Sequence, residues 1–338
     1  MTFKSIFGAL MAAGITAHAS ASAASETVAC TGKNLMSDAS ASEVVETIRK
    51  AAETISYGEG LLWKIERAGV KPSYLFGTMH LSDPRLLDLP PKVTAALESA
   101  DTLAVEIKAI ADPDLMKKKA ASLGHLSIYT DGTTLEERLS EDEIKLVRDN
   151  LARRAPLPWP LAKRLRPWAL MASMAAPACE LARKKKGEPV LDQALAQRAG
   201  SANKPVIGLE TLESQMAAMA SLPEPVMLKA LTATSRMGDV IDDVLETMIA
   251  LYEQEKTGII WAMMNHVGPG GLEAAPKAAG YSDFQRVIVD KRNITMSDAA
   301  DELLKKGNAF IAVGALHLPG EKGMLNILVQ RGYKVSRP

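Results

Sequence analysis

The chain has 338 residues, 47% hydrophobic and 24% charged, the make-up of one large folded domain or two modest ones. That excludes a wholly disordered chain, a collagenous one and a small disulfide-stapled scaffold. Forty basic side chains balance forty acidic ones, so no net basic field exists to hold nucleic acid or an anionic membrane, and aromatic residues at 4% give few stacking surfaces for bases or sugars.

Met1-Thr2-Phe3-Lys4 carries a positive charge and leads into the apolar stretch Ile6 to Ala17. Small residues then cluster at Ala17-His18-Ala19 and Ala21-Ser22-Ala23. This is the three-part layout of a secretory signal, and the apolar run is shorter than the ~20 residues a membrane span needs. The expectation is cleavage after Ala19 or Ala23: residues 1–23 form a signal peptide, and 24–338 a single periplasmic or secreted domain. No second long apolar run follows, so no transmembrane span is expected. The only cysteines, Cys30 and Cys179, both belong to the exported part. In an oxidising compartment an even pair favours a bridge over two unrelated thiols. Neither has a C-x-x-C neighbour, which argues against a thiolate metal site.

Beyond a small, polar lead-in, Ser42–Thr54 is amphipathic and reads as a helix. Leu61–Glu66 and Tyr74–Phe76 read as strands about the turn Ala68-Gly-Val-Lys-Pro72. Pro90-Pro91 opens a helix through Ala100, and the apolar run Leu103–Val105 follows. Helical patterns fill most of 112–200, with a break at Pro167. A strand at Pro205–Gly208 precedes a long helical region from about 212 to 266, and Pro-Gly-rich residues 268–280 make a loop. A helix over Ser282–Lys306, a strand Ala309–Val313, a helix near Gly323–Arg331 and a strand Tyr333–Val335 close the chain. The pattern predicts an α/β fold: a central mixed sheet flanked by helices, with a largely helical insertion over about 110–285.

One internal echo stands out. Leu75-Phe-Gly-Thr-Met-His-Leu81 matches Ala312-Val-Gly-Ala-Leu-His-Leu318, each an apolar strand followed by Gly-x-x-His-Leu. A Gly at a strand end permits a positive φ or a close backbone approach, and the His then projects above the sheet. Two further strands end on an acid: Leu103–Val105 runs into Glu106, and Val206–Leu209 into Glu210. In open α/β sheets ligands bind at the carboxyl ends of the strands. If those four strands are parallel neighbours, they deliver His80, Glu106, Glu210 and His317 to one edge. Two imidazoles and two carboxylates suit Zn²⁺, Mn²⁺, Co²⁺ or Fe²⁺, with one Glu free to take a proton from metal-bound water. Arg292-Asn293, on a helix before the last strands, could face a developing oxyanion, or lie plainly on a helix surface. No G-x-S-x-G, H-E-x-x-H, P-loop or G-x-G-x-x-G is present.

The chain resembles the TraB/GumN family, which is related to Tiki-type metalloproteases and, more distantly, to erythromycin-esterase and ChaN-like proteins. The resemblance rests on Cys30-Thr-Gly-Lys-Asn-Leu35, Gly60-Leu-Leu-Trp63, Leu75–Arg85, Val105-Glu106 and Arg166-Pro-Trp168. It continues through Cys179-Glu180, Leu191-Asp192, Gly208-Leu-Glu-Thr211 with Gln215, Arg292-Asn293, Val313–Gly320 and Gly332-Tyr333. It implies an esterase- or ChaN-like architecture and a divalent-metal-dependent hydrolase of the peptidase type. His80 and His317 become metal-site residues, Glu106 and Glu210 ligand or base, and Arg292 and Asn293 the polar pair beside them. The metal is expected to be Mn, Co or Zn and the substrate a peptide or small molecule. The alternatives are a non-catalytic metal- or haem-binding protein and a small-molecule esterase.

Overall fold

A computed structural model describes residues 30–155, 157–274 and 281–338. The expected signal peptide lies outside the described residues. Six strands form the central sheet: β1 (Leu62–Glu66), β2 (Ser73–Thr78), β3 (Thr102–Ile107), β4 (Val206–Glu210), β7 (Ala309–Gly314) and β8 (Lys334–Ser336). Between them in sequence, β5 (Val267–Gly268) and β6 (Gly271–Leu272) make a separate small antiparallel ribbon. The sheet order is β4-β3-β7-β2-β1-β8. β4, β3, β7 and β2 run parallel to one another, and β1 pairs antiparallel with both β2 and β8. The sheet is therefore mixed, as expected, and its four parallel strands are consecutive.

Strand alternation builds a core on each face. Leu62, Phe76, Leu103, Val105, Phe310 and Ala312 pack with the helices over Ser42–Glu53, Pro91–Ser99, Leu191–Ser201 and Thr257–Met263. Trp63, Ile65, Leu75, Ala104, Ile311 and Val313 turn to the other face, under the helices Lys291–Lys306 and Met324–Gln330. The inner strand β7 is buried on both sides, which is why it reads as an unbroken apolar run rather than an alternating one. Helices over Glu141–Arg154, Pro167–Ala175 and Glu224–Met237 carry a third core, including Leu135, Val147, Leu151, Leu170 and Leu231. No helix among the described residues is long and apolar enough to cross a membrane.

The region 212–266, expected as one long helical stretch, is four helices: Leu212–Ala220, Glu224–Met237, Val240–Glu253 and Thr257–Met263. Pro223 removes an N–H at the first break, and Gly238 takes a positive φ of 54° at the second. The expected break at Pro167 is present: the helix Trp159–Ala162 ends before it and Pro167 opens the next, where its missing N–H costs nothing. The expected Ser282–Lys306 helix contains a π-helical stretch, Gln285–Asp290, just before Arg292. Such widened turns rotate the following side chains to a new face.

Cys30 and Cys179 form a disulfide with Cα atoms 5.3 Å apart. The bridge anchors the helix Ala178–Lys185, whose Glu180 accepts from the Ser82 N–H and hydroxyl and whose Arg183 donates to Asp83, 3.2 Å away. Ser82 and Asp83 lie two and three residues past His80. The disulfide thus reaches the end of β2 through two buried charged side chains.

Candidate functional site

β2 and β7 lie side by side in register, Gly77 beside Val313 and Thr78 beside Gly314, so the two Gly-x-x-His turns start level with one another. Neither Gly77 nor Gly314 has a positive φ; both leave space instead. A Cβ on Gly77 would stand 2.9 Å from the Ala315 backbone. A Cβ on Gly314 would stand 3.3 Å from Glu106 Oε1, 3.4 Å from His317 Cδ2 and 3.5 Å from His80 Nε2. The second glycine therefore keeps open the point on which three candidate residues converge.

Glu106, from the penultimate position of β3, is the hub. Its Oε1 lies 3.7 Å from Nε2 of His80 and 3.7 Å from Nε2 of His317, and accepts from the Gly314 N–H at 2.7 Å. Its Oε2 accepts from Arg292 Nη2 at 2.7 Å and from Gln215 Nε2 at 2.9 Å. Glu210, the last residue of β4, is held by the same two side chains: Arg292 Nε donates at 3.0 Å, Arg292 Nη2 donates too, and Gln215 Nε2 donates at 2.7 Å. Arg292 therefore bridges two buried carboxylates, and Glu210 is paired with it rather than with either imidazole.

Each imidazole is fixed through its Nδ1. His80 Nδ1 lies 2.7 Å from Asp192 Oδ2, and Thr78 Oγ1 donates to the other Asp192 oxygen at 2.7 Å. His317 Nδ1 lies 2.6 Å from Asn293 Oδ1. Asn293 Nδ2 donates to the Lys322 carbonyl at 2.8 Å, which turns its oxygen toward the ring. An amide oxygen only accepts, so His317 carries its proton on Nδ1 and presents a bare Nε2 lone pair to Glu106. Asn293, expected to face an oxyanion, is committed at both ends to positioning His317. Arg292 likewise gives its N–H groups to two carboxylates and to the Ile288 carbonyl.

The charges follow from these neighbours. The Asp192 carboxylate raises the His80 pKa to about 9 against the cost of burial, with Glu106 adding to the effect. Burial pushes His317 down to about 4, so its ring is neutral. Burial alone would raise Glu106, but His317, His80, Arg292 and the Gly314 N–H hold it at about 2. Glu106 is thus an ionised acceptor at neutral pH and too weak a base to hold a proton there.

The signs give a pH prediction for the ion-free protein. A raised His80 pKa contributes stability in full below its unfolded value of about 6.5, and that contribution is lost as pH rises through about 9. The lowered values of Glu106 and His317 act oppositely, losing stability as pH falls from about 6.5 toward 2. The His80 side chain is 54% exposed, so water screens part of its effect while the direction follows from Asp192, which is 3% exposed. Urea midpoints measured in chelator should decline from pH 6.5 to 9.5 in the wild type and stay flatter in His80→Gln. An equal decline in both would remove His80 as its source.

Asp192 and Gln215 hold or bridge the centre, yet the sequence supplies only their motif neighbourhood and no role. Asp192 sits in the first turn of the helix Leu191–Ser201, a position acids fill for the helix dipole alone. The hydrogen bond from the Leu191 N–H to the Leu81 carbonyl, 3.0 Å, is what docks that turn against the His80 loop. A cavity of about 170 Å³ opens at His80, Glu106, Asp192 and Gln215. Among the described residues, no group of three or more His, Cys, Asp or Glu side chains stands ready to hold a metal ion.

The fold and site define a mixed α/β protein with an imidazole–carboxylate centre at the carboxyl ends of its parallel strands. The chain belongs to the TraB/PrgY/gumN family, whose model matches residues 61–337. It is 27% identical over 264 residues to the uncharacterized protein YbaP of Shigella flexneri, covering 77% of this chain and 89% of that one. It is 25% identical over 343 residues to the metalloprotease TIKI2 of Danio rerio, covering 88% of this chain and 65% of the relative. With TIKI1 of the same fish, also named a metalloprotease, it shares 24% identity over 318 residues, covering 81% of this chain and 62% of the relative. The chain thus spans a little under two thirds of the Tiki proteins' length. No solved structure matches, and the likeness to erythromycin esterase and ChaN-like proteins rests on the sequence resemblance alone.

Proposed function

We propose that this protein is a divalent-metal-dependent hydrolase of the peptidase type, exported to the cell envelope or beyond, with His80, His317 and Glu106 as ligands. The observation that carries the reading is the pair of imidazoles whose Nδ1 atoms are tied to oxygen acceptors while both Nε2 atoms face one Glu106 oxygen. Metal-ligating histidines are oriented by outer partners in this way. Gly314, whose Cβ would fill the space between the three groups, fits the same reading. The relatives named as metalloproteases support hydrolysis, and the disulfide supports an oxidising compartment.

When bound, the metal would polarise a substrate carbonyl and lower the pKa of water. The chain's own residues then have distinct parts. Glu106 stays ionised and offers Oε1. Asp192 and Asn293 aim the two rings. Arg292 and Gln215 hold Glu106 and Glu210 at a fixed separation, with Glu210 compensating the guanidinium. The His80 proton must leave for its Nε2 to coordinate, so metal affinity should rise with pH.

A second reading is favoured by one observation, the raised pKa of the half-exposed His80 on Asp192. Here the His80–Asp192 pair acts as a general acid and base without metal. Elemental mass spectrometry on protein purified from an oxidising compartment separates the two. Near-stoichiometric Mn, Co or Zn in the wild type, lost in His80→Ala and His317→Ala, supports the metal reading. Gly314→Ala is the sharper variant, since φ of −51° accepts alanine while the added methyl enters the space between the rings. It should lose metal at a stability cost of about 1–3 kcal/mol. A wild type that takes up none of these ions, yet cleaves peptides in chelator, overturns it in favour of the second.

A further inference from the structure

The motif Arg166-Pro167-Trp168 takes no part in the centre described above, yet it lines a cavity of about 220 Å³ beside Tyr129, Arg138 and Glu224. Three N–H groups there are shielded from solvent and have no hydrogen-bond partner: Arg138 Nε, Arg166 Nε and Trp168 Nε1. Tyr129 itself is 7% exposed. Buried donors without partners are costly, and several around one cavity are better explained by a ligand or ordered water than by chance.

We infer that this cavity is a binding subsite for the carboxylate of a small ligand or peptide. All three unpartnered groups are N–H groups that can only donate, while burial together with Glu224 keeps the Tyr129 phenol beside them protonated. The ligand must therefore bring acceptor oxygens. The placement of the charges sets its sign: Arg138 is answered by Glu224 at 3.1 Å and Asp131 at 3.5 Å, whereas Arg166 makes no ion pair among the described residues and gives only Nη1 to the Ala220 carbonyl at 3.3 Å. The lining carries two guanidiniums and two carboxylates, but both carboxylates face Arg138, so the local pull on an anion is at Arg166. The Trp168 ring and Met227 supply apolar walls for the carbon attached to it. Ala220 ends the helix that begins at Leu212 and carries Gln215, so the subsite is joined to the centre by about 7–8 Å of helix.

The test needs no turnover, so its outcome is separate from that of the hydrolase reading. In ¹⁵N-labelled full-length mature protein, the Trp168 indole N–H resonance is identified by its loss in Trp168→Phe. N-acetylglycine should shift it saturably, N-acetylglycinamide should not, and Arg166→Met should weaken binding about tenfold or more. N-acetylaspartate α-amide tells an acidic side chain from a chain terminus, and saturable binding of either acid supports the subsite. A resonance that does not move with any acid, that moves equally with the amide, or that responds unchanged in Arg166→Met overturns it, leaving structural water as the cavity's occupant.

Discussion

On the proposed metal-hydrolase reading, Glu106→Gln should abolish activity and metal retention together while leaving a folded protein. The variant keeps the side chain's shape but replaces one acceptor oxygen by an NH₂ donor. In one orientation that donor meets the Gly314 N–H, and in the other it meets Arg292 Nη2 and Gln215 Nε2. Either way two donors are opposed in a buried site, and one unit of negative charge is lost beside Arg292. Removing one partner of a buried ion pair costs about 3–5 kcal/mol. Glu210 remains on the guanidinium, so the lower end of that range is expected. Altering an outer partner of a metal ligand already costs about 10–100-fold, so loss of Glu106 itself should exceed a hundredfold. Peptide turnover, metal content and a urea curve on one preparation check all three. Wild-type metal content with activity intact would remove Glu106 from the centre.

The second large effect is expected from the disulfide. Cys30 and Cys179 are 149 residues apart, and cross-linking a loop of that size stabilises by about 5 kcal/mol in the chain-entropy limit, with about 2–5 kcal/mol usual on removal. Cys30→Ala/Cys179→Ala should therefore unfold at clearly lower urea. The loss should also reach the site, because Glu180, next to Cys179, holds Ser82, and Arg183 holds Asp83, both just past His80. Hydrogen exchange should rise at residues 80–85 before it rises in β7. Stability lowered with no change in exchange at 80–85 would show that the bridge acts on the unfolded chain alone.

Much of the architecture was present in local pattern. Alternating and continuous apolar runs marked six strands of the sheet within a residue or two, because burial of a strand's faces imposes a period of two or none. The repeated Gly-x-x-His-Leu and the acids ending β3 and β4 pointed to one edge of the sheet. Two cysteines beyond a signal-like amino terminus pointed to a bridge. These are consequences of residue type and near neighbours, and a sequence carries them without folding.

Other features depend on what lies opposite each residue. That β4, β3, β7 and β2 are adjacent follows from how the strands share two cores, which no single strand encodes. The space kept by Gly314 exists only because Glu106 and both imidazoles arrive there from three separate segments. Arg292 looks free in the sequence and is bound between two carboxylates in the fold; Asn293 looks like an oxyanion donor and is the support of His317. Asp192 is an ordinary first-turn acid until docking of its helix brings it 2.7 Å from His80. Periodicity acts over a few residues, whereas charge pairing, tautomer and pKa are set across separations from 24 residues, for His317 and Asn293, to 186, for Arg292 and Glu106, so the sequence alone determined the elements and the candidate chemistry, and the tertiary structure decided which group holds which.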